Sequence, residues 1–181
     1  MKRTLKCILP ITALTLASLA LGAQDTISPA ATGASRVQQS DNSDVLDIEK
    51  VMASFHEAVT THDGARLSNL FLPDGNLWLN VLTDNAYAHP KGNTPSVPKV
   101  RVGSYRDFAK FVSTTTKTLD PRHTNVVIHT DGTIATVYFD FVFFIDGQAE
   151  NRGSETWQLV KGVDGWRIAS IAYSSEPAVQ K

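Results

Sequence analysis

The sequence predicts an α+β domain, with helices segregated onto one face of a curved antiparallel sheet. Three observations carry that expectation. The segment before Pro121 holds three apolar stripes at helical spacing. From Arg122 onward the helical period gives way to long runs of β-branched and aromatic residues. Those runs are separated by Asp131-Gly132, Asp146-Gly147 and Gly162-Val163-Asp164-Gly165, which are tight-turn sequences.

The first helix is expected to start at Ser43 or Asp44, either of which can accept a hydrogen bond from the free amides of a first turn. Val45, Ile48, Met52, Phe55 and Val59 then form one stripe, with His56 at its edge. Thr60-Thr61-His62 ends the helix, and Asp63 caps a second, short one carrying Leu67, Leu70 and Phe71. That helix stops at Pro73-Asp74-Gly75. Asn76 to Leu82 alternates as a strand. Thr83 to Pro98 reads as a long loop with three prolines, of the kind that serves as a lid or partner contact. Lys99 to Val102 reads as a short strand, and Ser104-Tyr105-Arg106-Asp107 opens a third helix. Four strands follow, at Arg122–Thr130, Thr133–Ile145, Gly153–Lys161 and Trp166–Ser174.

The N-terminus has the layout of a secretory signal peptide: basic Met1–Lys6, an apolar run from Cys7 to Leu21, then Gly22-Ala23. Residues 1–23 are therefore expected to be removed, 24–43 to be a flexible linker, 44–175 the domain and 176–181 a tail. The expected location is periplasmic or secreted. The only cysteine, Cys7, leaves with the leader, so the mature chain has neither a disulfide nor a thiol nucleophile. Losing Lys2, Arg3 and Lys6 lowers the basic count from 17 to 14 against 18 acids, and the net charge from -1 to -4. No basic patch points to nucleic acid or to an anionic membrane surface.

The early helix with Phe55, the Asp63 turn, Leu70-Phe71-Leu72-Pro73-Asp74-Gly75 and the closing Gly165-Trp166-Arg167-Ile168 resemble the nuclear-transport-factor-2-like (NTF2-like, cystatin-like) superfamily. Within it the chain is most similar to the SnoaL-like group. The resemblance spans about Asp44 to Ser175. It implies a cone of curved antiparallel sheet closed by about three N-terminal helices around one pocket, often paired into homodimers through the outer sheet face. Ketosteroid isomerases of the superfamily need a Tyr and two Asp, one of them protonated. Those places fall near Phe55, Leu79 and Thr156, which do not supply the set, so the isomerase activity is not carried over.

The candidates for proton transfer are Asp140, His123 and Glu155. Asp140 lies among aromatics on the longest central strand, where burial would raise a carboxyl pKa. The alternative is a solvent-facing or dimer-facing Asp paired with a cation. Glu155 shares a strand face with Trp157 and Leu159 and could lie laterally near Asp140 or Tyr138. A one-residue slip of register would separate them, leaving a solvated Glu beside a core Trp. His123 opens a sheet strand and His56 borders the first helix; each is also explained as a hydrogen-bonded structural residue. Trp78, Tyr105, Tyr138 and Trp157, with His56, are the candidate ligand-binding residues, though core packing explains the aromatics equally well.

No metal site is expected. His123 and His129 would stand roughly 20 Å apart along a strand, and His56 and His62 point about 240° apart around a helix. No phosphate loop, dinucleotide fingerprint or nucleophile elbow occurs, and no cofactor is expected. The residues thus suggest an exported domain that holds a small, partly apolar molecule, with cofactor-free acid–base chemistry of the isomerase, dehydratase or cyclase type if it catalyses. The alternative is a non-catalytic module whose cone is filled by its own side chains and whose outer face forms a homodimer or docks a protein.

Overall fold

The computed structural model describes residues 42–89 and 97–177. The expected leader, all but the last two residues of the expected linker, residues 90–96 of the expected loop and residues 178–181 lie outside the described residues. The elements are α1 (Asn42–Thr60), α2 (Gly64–Ser68), β1 (Leu77–Leu82), α3 (Asp84–Ala88), β2 (Val100–Val102) and α4 (Tyr105–Thr114), then β3 (Leu119–Thr130), β4 (Ile134–Ile145), β5 (Gln148–Gly162) and β6 (Gly165–Pro177).

The six strands make one sheet in the order β2-β1-β6-β5-β4-β3. The long C-terminal strands are antiparallel neighbours, as their Asp-Gly turns require. Asp146 and Gly147 both have positive φ at the β4–β5 turn, the left-handed backbone that a two-residue hairpin needs. The sheet is not wholly antiparallel, because β1 runs parallel to β6. β3 starts three residues earlier than the sequence suggests and passes through Pro121. It is an edge strand, where a missing amide costs no ladder bond, and Leu119 draws its start inward by being almost fully buried. The stretch after β1 is not wholly loop: the Thr83 hydroxyl accepts from the Ala86 amide and caps α3.

The helices pack on the inner face of the sheet. The α1 stripe buries Ile48, Met52, Phe55 and Val59 against it, each such side chain contributing roughly 1.5–3 kcal/mol. Asp44 is turned inward within the first turn of α1 and accepts a hydrogen bond from Lys161 Nζ at 2.6 Å, tying the helix start to β5. α2 crosses α4 so closely that only a glycine fits at position 64: a Cβ there would lie 2.3 Å from the Ala109 carbonyl oxygen. The Leu72 amide donates to the Ile168 carbonyl at 3.0 Å, and the Ile168 amide to the Leu70 carbonyl at 2.8 Å, fastening the segment after α2 to β6.

β3 is bent by a bulge between Thr124 and Val127, where the register slips by one residue against β4. Asn125 takes φ 55° there, a backbone that Asn tolerates better than most residues. The bulge helps to curve the edge strand around the helices and leaves the inner face concave.

Candidate functional site

Alternation along β4 decides which candidates face inward. Ala135, Val137, Phe139 and Phe141 are buried, whereas Tyr138 is 45% exposed. β5 and β6 carry that division across the sheet. Phe139 lies opposite Glu155, Glu155 opposite Tyr173, and Tyr173 opposite Asn80 of β1. These four residues form one row on the inner face, with neighbouring Cβ atoms about 5 Å apart.

Above that row is a cavity of about 200 Å³ lined by Phe55, Trp78, Phe108, Pro121, His123, Phe141, Phe143, Asn151, Glu155 and Tyr173. A cavity of roughly 150 Å³ already accepts benzene, so this one has room for a ring with a short substituent, or for a small fused pair. The aromatic walls hold one another in place. The Phe55 ring is 5.0 Å from Trp157, Trp78 is 5.4 Å from Phe108, and Tyr173 meets Phe141 edge-on at 5.8 Å.

Glu155 is the acid of this cavity. It is half-buried, and it lines the cavity. Loss of water pushes its carboxyl pKa up to about 7, against the partial opposition of the Trp157 indole, whose Nε1 donates to Oε1 at 2.5 Å. His123 stands on the cavity wall with its ring 4.4 Å from Phe139 and 6.1 Å from Trp157. Burial, and secondarily the nearby His56, lower its pKa to about 4, so it is a neutral imidazole near pH 7. Among the described residues, no Lys or Arg lines the cavity.

The expected pairing of Asp140 with Glu155 does not occur. Asp140 is opposite Ser154, one residue out of phase, and therefore projects from the outer face. Its oxygens accept from Asn125 Nδ2 and Ser154 Oγ, each at 2.8 Å, and those bonds hold its carboxyl below the usual range. It pins the β3 bulge. Tyr138 is excluded from the cavity by the same alternation. Tyr105 is buried elsewhere, stacked on Phe71 at 4.6 Å with its hydroxyl donating to the Pro73 carbonyl at 3.3 Å. His56 points outward and bonds the Pro121 carbonyl through Nδ1 at 2.8 Å, in a separate groove between α1 and β3.

Of the expected residues, the structure therefore brings together Glu155, His123 and Trp78 on the cavity wall, with Trp157 fully buried behind Glu155. The sequence reading did not assign Phe55, Phe108, Phe141, Phe143, Asn151 or Tyr173 to the site. Phe141 and Phe143 carried a usable signal, since they share a strand face with Phe139. Among the described residues, no group of three or more His, Cys, Asp or Glu is gathered as a metal site would need.

The sequence matches no family model and no curated protein. Solved structures do match. A protein of unknown function from Mycobacterium tuberculosis superimposes with TM-score 0.56 at 17% identity, over 77% of this chain and 80% of that one. An NTF2-like protein of unknown function from Shewanella baltica gives 0.53 at 16%, over 76% and 97%. A candidate dehydratase of the NTF2-like family from Streptomyces avermitilis gives 0.55 at 21%, over 77% and 99%. This chain has the NTF2-like, cystatin-like fold.

Proposed function

For a chain of NTF2-like fold with an acid set in an apolar cavity, we propose binding of a small, largely apolar molecule and movement of a proton on it by Glu155. The observation that carries this reading is the placement of Glu155 in an aromatic cavity where desolvation brings its carboxyl to about 7. A general acid or base is most effective when its pKa lies near the working pH. Glu155 ionises there, whereas an exposed Glu would be a far weaker base. His123, uncharged at that pH, can accept or donate a hydrogen bond to the same ligand. Trp78 and the phenylalanines supply the apolar contact. Isomerisation, dehydration and cyclisation all need such a proton carrier.

The test uses a generic substrate, nitrobenzisoxazole. A base removes its ring C–H proton, the electron pair forms the nitrile, the N–O bond breaks and a coloured cyanophenolate results. The expected result is a protein-dependent rate that rises with a midpoint near pH 7 and drops by roughly a hundredfold or more in Glu155→Gln. A rate unchanged in that variant would refute the assignment.

A second reading concerns the outer face, where Val127 and Tyr138 are cross-strand partners and each is 45% exposed. Such an apolar pair on a solvent-facing sheet favours a homodimer through that face. Sedimentation of wild type against Tyr138→Lys checks it, and a wild-type monomer at micromolar concentration would dismiss it. The alternative of a cone filled by its own side chains is disfavoured by the open cavity with Glu155 inside it. The leader pattern supports a periplasmic or secreted setting. Terminal sequencing of the exported protein should begin at Gln24; a cell-retained chain starting at Met1 would overturn that placement.

A further inference from the structure

Glu155 has a neighbour whose polar atom the proton-transfer reading does not use. Tyr173 lines the cavity directly beside Glu155 on the adjacent strand. Its ring is fixed by two edge-on contacts, 5.8 Å to Phe141 and 6.4 Å to Trp78. Its hydroxyl oxygen accepts from Asn80 Nδ2 at 2.9 Å. Asn80 lies next in the same row and on the same strand face as Trp78, so it approaches the phenol from the side away from Glu155.

A phenol has one proton and an acceptor oxygen. With Asn80 occupying the oxygen as a donor, the Tyr173 proton is left to seek an acceptor, and the open space beside it is the cavity. The Asn80 carbonyl oxygen is itself buried without a partner among the described residues. Glu155 has a similar asymmetry. Oε1 is held by the donor-only indole of Trp157, which leaves Oε2 to serve the cavity.

We infer that Tyr173, oriented by Asn80, is a ligand-contacting residue, and that the Tyr173–Glu155 pair takes neutral, one-ring compounds carrying a carbonyl oxygen. The inference rests on the cavity reading above and adds its substrate class. The aromatic walls take the ring, and the Tyr173 O–H donates to the oxygen. A carboxylate ligand is disfavoured because Glu155 stands beside the donor and, among the described residues, no cationic side chain lines the cavity.

The test measures binding of acetophenone, ethylbenzene and benzoate to the full chain by tryptophan fluorescence, with the carbonyl stretch of bound acetophenone read by infrared difference. Working at about pH 8.5, above the Glu155 value of about 7, keeps Glu155 largely ionised, so that Tyr173 is the main donor read out. In Tyr173→Phe, acetophenone should weaken roughly five- to tenfold while ethylbenzene changes less than about twofold. The carbonyl stretch should move up toward its value in alkane solvent. Asn80→Leu should move the stretch in the same direction by a smaller amount, a readout that a merely structural asparagine would not alter. Benzoate should bind more weakly than acetophenone.

If ethylbenzene and acetophenone both bind and Tyr173→Phe changes neither affinity nor stretch, the Tyr173 assignment falls while the cavity stands. Benzoate binding as tightly as acetophenone overturns the preference for neutral ligands. Binding of none of the three to folded protein overturns both readings.

Discussion

Replacing Glu155 by Gln should change the shape of the stability–pH curve, not simply its height. A carboxyl moved from 4.5 to about 7 by folding holds its proton longer in the native state than in the unfolded chain. Between those values the native protein binds the extra proton, so stability falls as pH rises, by roughly 1.4 kcal/mol per pH unit and about 3 kcal/mol in all. The stabilising contribution is complete below 4.5 and gone above 7. His123 acts with the opposite sign. Its imidazole, lowered from 6.5 to about 4, is neutral in the folded state while the unfolded one is charged. Stability therefore rises with pH across that window by a similar amount. In wild type the two slopes offset each other between 4.5 and 6.5. Glu155→Gln removes the falling limb and leaves the rising one. Urea titrations of both proteins from about pH 4.5 to 8 measure the difference, in which the other titrating groups cancel. The variant should gain about 3 kcal/mol relative to wild type across that range. A difference flat to within about 0.5 kcal/mol would refute the burial argument for Glu155.

Three further outcomes are expected. Trp157→Phe removes the indole hydrogen bond that restrains the Glu155 shift, so the midpoint of the base-catalysed rate should move above 7; a lower midpoint would contradict the stated cause. Asp140→Ala should cost about 1 kcal/mol by loosening the Asn125 bulge and leave the nitrobenzisoxazole rate intact, whereas loss of that rate in a folded variant would return Asp140 to the site. Gly64→Ala places a Cβ 2.3 Å from a backbone oxygen of α4, and calorimetry should show a loss of roughly 1–3 kcal/mol; an unchanged melting temperature would mean that α4 shifts freely.

The sequence carried the fold further than the site. Alternation in β4 separated Phe139 and Phe141 from Tyr138 and Asp140, and the Asp-Gly turns placed the hairpins. Periodicity divides a strand into two faces without saying which is inward. That is why Asp140, which looked enclosed by aromatic residues, proved to be on the solvent side. Glu155 shares a face with Trp157, as alternation predicts, but its neighbours depend on register. One residue of phase set Phe139 and Tyr173 beside it instead of Asp140. Tyr173 and Asn80 are 93 positions apart, joined only by the parallel β1–β6 pairing, and no local pattern announces a contact of that kind. The parallel pairing was itself unreadable because β1 has no crossover helix leading directly to its partner.

That pairing also orders events in the making of the protein. β1 emerges early and β6 last, and the Trp78 wall meets the Tyr173 wall only through the seam between them. Until residues as far as 177 are free to pair, β1 has no strand neighbour but the three residues of β2, too small a ribbon to persist in water. The cavity is therefore a late product of folding, closed when β6 joins β1. Contacts of such long sequence separation form slowly, leaving the unfinished chain with exposed aromatic strands for chaperones to cover.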